Sequence, residues 1–180
     1  MTLSPIQNFE ARSLELYSLA FLLTGNTDRS LQAFNRTLDG EEEETTLFGN
    51  STNRRARKLI IVEALDAMEM ELEASRHRTA CLALDERSVN PGWKRRALIA
   101  TGEFEKAVLA IDAFPRCAIL LTIFERISLR TAAILLNADH AVTQTAQRIG
   151  ALQLSDNLSR ESNGPYYRPA RNQTSALSLN

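Results

Sequence analysis

Apolar residues return every three to four positions along most of this chain, the period of a helix buried on one face. Leu16, Leu19, Ala20 and Leu23 form the first such stripe, downstream of Ser4-Pro5, a cap residue followed by a proline suited to the first helical position. Thr24-Gly25-Asn26 breaks the pattern, with Gly25 fitted to a left-handed C-terminal cap. A second helix spans about Asp28 to Leu38, with Leu31, Phe34 and Leu38 on one face. Asp39-Gly40 and the acidic run Glu41 to Glu44 end it. After a loop at Asn50 to Asn53, the longest helix runs from about Arg54 to Leu84. Ile61, Leu65, Met68 and Leu72, at steps of four, three and four, form its apolar stripe. Arg54, Arg55, Arg57 and Lys58 crowd its first turn, where cations oppose the helix dipole. That cluster suggests an external anionic partner; a solvated basic turn is the alternative.

Asn90-Pro91-Gly92, followed by Trp93 and Lys94-Arg95-Arg96, reads as a linker. From Glu103 the pattern tightens. Phe104, Val108 and Ile111 mark a short helix to Ala113, and Pro115 opens another that is apolar nearly all round and therefore central. Ser128 caps a third helix, Leu129 to Leu136. Asn137 suits the left-handed position of a tight turn, and Asp139 caps a fourth helix to about Leu154. Beyond Ser155 periodicity is lost, and a tail with Tyr166-Tyr167 is expected to be disordered. The expected fold is all-α with two small helical domains, residues 1–86 and 103–154, a linker at 87–102 and a tail at 155–180.

Composition changes this picture little. Hydrophobic residues at 44% supply a core, and aromatics at only 6% argue against β-structure. The net charge of −1 argues against a chain that is basic throughout, but the charge is uneven. Residues 1–114 carry 14 Lys and Arg against 18 Asp and Glu, whereas 115–180 carry 7 Arg against 4 acids. The C-terminal end is therefore the one suited to DNA. Cys81 and Cys117 read as buried free thiols. No apolar run reaches a membrane span and no signal peptide opens the chain, so a cytoplasmic protein without membrane contact is expected. His77 and His140 lack ligand partners at helical spacing, and no Gly-rich phosphate loop appears. No enzyme, metal, cofactor or small-molecule substrate is expected.

The four C-terminal helices carry the functional signal. A scaffold helix, a short helix and a second helix after a tight turn form a helix-turn-helix pattern. Ala132, Ala133, Leu135 and Leu136 pack the first of the pair inward, and Val142, Ala146 and Ile149 form the inner face of the second. Its outer face then presents Thr143, Gln144, Gln147 and Arg148, polar types that bond base edges in a major groove. Arg130, Thr131 and His140 are placed to meet phosphates.

Phe114-Pro115-Arg116, the apolar run and Glu125-Arg126-Ile127-Ser128 resemble the promoter-reading domain of extracytoplasmic-function sigma factors, where a Glu-Gly-Leu-Ser step precedes an Ala-rich helix. The stretch from Leu16 to Asn26 is similar to the opening of that family's core-polymerase-binding domain, and Leu31 to Leu38 resembles the next segment of the same domain. The resemblance implies a transcription regulator that binds promoter DNA, with RNA polymerase core held through Leu31, Gln32, Phe34 and Asn35. It also implies a regulatory partner such as an anti-sigma factor. The recognition helix carries only Arg148 as a cation, and the turn after Leu136 is one residue short of the family pattern. Those departures favour the alternative, a helical protein-interaction module derived from a sigma factor that does not read DNA.

Overall fold

Helix α1 (Pro5–Thr24) buries Leu16, Leu19, Ala20 and Leu23, the stripe its sequence predicts, and the N-terminal half packs on it. A computed structural model describes residues 5–42, 49–83 and 101–161. Gly25 ends α1 with φ +64°, and its N–H donates to the Phe21 carbonyl at 2.8 Å. This is the left-handed cap expected of a glycine.

Helix α2 (Thr27–Glu42) passes through Asp39-Gly40, since one glycine weakens a helix by about 1 kcal/mol without forcing it to stop. Its inward face is also not the one predicted. Ser30, Ala33 and Thr37 are buried, whereas Phe34 is half-buried and Leu31 is 50% exposed. Small residues let α2 approach α1 closely, and the hydroxyls find partners. Thr37 donates to the Ala33 carbonyl at 2.9 Å, and Ser30 shares a 2.7 Å hydrogen bond with Thr24. Phe34 meets Tyr17 edge to face at 6.2 Å.

The predicted long helix is two. Helix α3 (Gly49–Asp66) starts before the expected Asn50 to Asn53 loop and takes it in whole, and α4 (Glu69–Ala83) follows a kink at Ala67-Met68. Neither Gly nor Pro marks the kink. The Met68 N–H bonds Leu65 rather than the residue four back, at 3.1 Å, which tightens one turn. Ile61, Leu65, Met68 and Leu72 remain buried through it, so the stripe is continuous while the axis turns. Helix α3 packs on α1 and α2, and α4 crosses α6 and α8.

Helix α5 (Thr101–Leu109) is shorter than expected. Asp112 then caps α6 (Ala113–Ile119), accepting from the Ala113 N–H at 3.0 Å. Pro115 sits in that first turn, where its missing N–H costs nothing. All seven residues of α6 are buried, and the chain continues as one turn of π-helix, Leu120–Phe124. Ser128 caps α7 (Leu129–Leu135), accepting from the Thr131 N–H at 3.2 Å. Asn137 takes φ +47° in the turn that follows. Helix α8 (His140–Glu161) then runs past Leu154 into the segment expected to be disordered. Leu154 and Leu158 pack on the core, and Asn157 donates to the Ala107 carbonyl at 2.9 Å, which holds the extra turns. Asn90 to Arg96, Trp93 and Tyr166-Tyr167 lie outside the described residues.

Helix α8 crosses α6 at Gly150. A Cβ there would stand 2.6 Å from the Pro115 carbonyl oxygen and 2.8 Å from Ile119 Cγ2, so only glycine fits without movement. Arg116 on α6 is 5% exposed. Its guanidinium donates to the Leu23 carbonyl at 3.1 and 3.3 Å, to Ile111 at 3.2 Å and to Leu109 at 3.5 Å. One buried cation thus satisfies carbonyls at the end of α1 and just after α5. From α4, Ser75 accepts the Phe114 N–H at 2.8 Å, and Arg78 bonds Asp112 at 2.7 and 2.9 Å. One buried cluster reaches from Leu16 to Leu154. The described residues form eight α-helices and no strand, and none of these helices is long and apolar enough to cross a membrane.

Candidate functional site

The α7–α8 pair is positioned by its inner residues. Ala132 and Ala133 on α7 and Leu136 at its C-cap are buried, and Ala146, Ile149 and Gly150 are buried on α8. Small side chains at Ala132, Ala146 and Gly150 allow the close crossings. Facing outward on α8 are His140, Gln144 and Arg148, with Arg130 and Thr131 exposed at the start of α7.

Two residues expected on that outer face turn inward. Thr143 is fully buried, its hydroxyl donating to the Asp139 carbonyl at 2.9 Å. Gln147 is half-buried and donates to Thr122 Oγ1 at 2.9 Å, which ties α8 to the π turn. Each has a polar partner inside the molecule, so burial costs little. The outward line is therefore narrower than predicted: His140, Gln144 and Arg148.

The turn itself is gripped from α4. Arg76 donates to the Asn137 carbonyl, and Arg76, His77 and Ala80 line a shallow cleft with Asn137, Asp139 and Val142. Sequence periodicity gives no sign of Arg76, which stands 61 residues from its partner.

On α2, Leu31, Gln32 and Asn35 lie exposed together, while Phe34 is committed to Tyr17. Arg29 and Arg36 on the same helix pair with Glu71 and Glu63.

The basic turn of α3 has an internal partner. Arg57 grips Glu125 with two hydrogen bonds, 2.6 and 3.1 Å, and reaches Glu15 at 3.4 Å. The Glu125 hydrogen bond raises the Arg57 pKa above its ordinary value, against the opposing effect of burial. Arg54, Arg57 and Lys58 line one side of a groove of about 870 Å³, and Arg126, Ile127, Thr131 and Leu135 line the other.

Cys117 is buried, as expected, and burial pushes its thiol pKa up to about 12. Cys81, near the end of α4, is exposed, contrary to expectation. Among the described residues no group of His, Cys, Asp and Glu is clustered to hold a metal. Comparison with protein-family models, with curated proteins and with solved structures found no match.

Proposed function

We infer that this chain is a sigma-factor-like transcription regulator that binds promoter DNA, using α7, the turn and α8 as a helix-turn-helix. The observation that carries this reading is the solvent face of α8. It presents His140, Gln144 and Arg148 beside Arg130 and Thr131, while the opposite face is fixed on α6 through Gly150. An amide and a guanidinium one turn apart on a rigid helix match the side chains that read base edges, and the flanking polar residues match phosphate contacts. In this reading α1–α4 form a polymerase-binding domain and α5–α8 the DNA-binding domain. Leu31, Gln32 and Asn35 on α2 are then the contacts to RNA polymerase core, and an anti-sigma factor is a candidate regulator.

Binding of the full chain to promoter-length duplexes across a salt series tests the reading. Arg148→Ala is expected to weaken the complex by about 1–3 kcal/mol. Absence of any complex at low salt sinks it. Polymerase capture by the full chain, lost on Leu31→Asp, tests the second contact.

A second reading, a helical protein-interaction module without DNA binding, is favoured by one specific observation. Thr143 and Gln147 are withdrawn from the outer face, which leaves fewer polar groups beside Arg148, the one arginine of α8 before Arg160. Few neutralised phosphates give a shallow salt dependence, since the slope follows their number.

A further inference from the structure

The groove between α3 and α7 combines features that folding alone does not require. Its floor is apolar: Ile61 is buried, Leu135 and Ile127 are half-buried, and Val62 is 42% exposed. On α7 beside it Ile134 stands 73% exposed. Its rim is basic. Arg57 is taken up by Glu125, but Arg54, Lys58 and Arg126 form no ion pair among the described residues.

Arg126 adds an independent observation. It holds φ +56°, a left-handed conformation that a glycine adopts without strain and an arginine does not. Backbone bonds from Glu125 to Leu120 and from Ile127 to Leu121, both 2.9 Å, fix it there. The chain therefore carries a strained cation at the groove where an unstrained glycine would close the same turn.

We propose that this groove is the docking site for an acidic amphipathic helix of a partner protein. Along α3 it extends from Arg54 to Val62, about 12 Å at the helical rise, enough for roughly two turns of a bound helix. Apolar anchors of that helix rest on Val62, Ile127 and Leu135, and its carboxylates face Arg54, Lys58 and Arg126. A nucleic-acid backbone matches the groove less well, because an apolar floor gives phosphates nothing, whereas the apolar face of an amphipathic helix is buried on it. This site borders the proposed DNA face at Thr131 but includes none of its α8 residues, and it does not rest on DNA reading.

The probe is a fluorescein-labelled helical peptide with leucines at i, i+4 and i+7 and glutamates on its flanks, titrated against the full chain by anisotropy. It is expected to bind, and a scrambled peptide of the same composition to bind about tenfold or more weakly. Lys58→Glu should weaken binding by about tenfold, and replacing the flanking glutamates with lysines should restore it. Arg126→Gly should weaken binding while raising the melting temperature, so that loss through unfolding is excluded. Arg148→Ala should leave peptide binding unchanged. The proposal is overturned if the peptide does not bind, or if Lys58→Glu and Arg126→Gly bind it like the parent chain. It is equally overturned if those variants instead lose binding to random-sequence duplex DNA.

Discussion

Two regions built from the same kinds of residue behave in opposite ways. Where α6 meets α8, every residue of α6 is buried, and even Arg116 is held by carbonyls from α1, the end of α5 and the turn after it. Where α3 faces α7, apolar side chains stay exposed and Arg54, Lys58 and Arg126 have no anionic partner among the described residues. The first region fixes the fold by pairing the polar groups it buries. The second tolerates exposed apolar surface and backbone strain, which stability alone would remove. Function is better sought in the second kind of surface than in the first.

Mutations should separate the regions by sign as well as size. Arg116→Ala carries the largest effect, taking the guanidinium from the buried Ile111 carbonyl and leaving the Leu23 carbonyl only the weak Cys117 thiol donor; a loss of about 3 kcal/mol or more in urea unfolding is expected. A loss under about 1 kcal/mol would mean that water replaces the guanidinium, and the crossing is then less dry than described. Gly150→Ala comes next. Helix propensity favours alanine by about 1 kcal/mol, but the Cβ meets the backbone at 2.6 Å, and overpacking of about 1–3 kcal/mol should win. Net stabilisation would show that α6 and α8 can part.

Alkaline titration probes the same interior. The buried Cys117 thiol favours its neutral form, whereas the unfolded chain ionises near an ordinary thiol pKa. Stability from this group is therefore complete below about pH 8.5 and is lost as pH rises toward about 12, by about 1.4 kcal/mol per unit. Cys117→Ala should flatten that limb, and at neutral pH a thiol reagent should label Cys81 alone. The smallest effect has the opposite sign. Arg126→Gly should stabilise the chain by about 1 kcal/mol by relieving the left-handed arginine, and an unchanged melting temperature would remove the case for strain.

The parts legible in the sequence are those set by local chemistry. Gly25, the Ser128 cap, Asn137 and the stripes on α1 and α3–α4 stand where their residue types predict, because caps and periodicity are decided within one or two turns. Illegible parts involve polar side chains that find partners only in three dimensions. Ser30 and Thr37 replaced Leu31 and Leu38 as the inner face of α2, because a hydroxyl bonded within its own neighbourhood can be buried. Thr143 and Gln147 left the candidate site for the same reason. The kink at Ala67-Met68 had no breaker to announce it, and the arginine at position 126 masked the left-handed turn that a glycine would have signalled.

The Arg116–Leu23 contact has a consequence for how the chain matures. It joins positions 93 residues apart, so α1 cannot receive its capping guanidinium until α6 has been synthesised and has left the ribosome. During translation the emerging N-terminal helices carry the surfaces that α6 will later cover. Until then those surfaces are open to solvent and to other chains, and a pause between the two events prolongs that exposure.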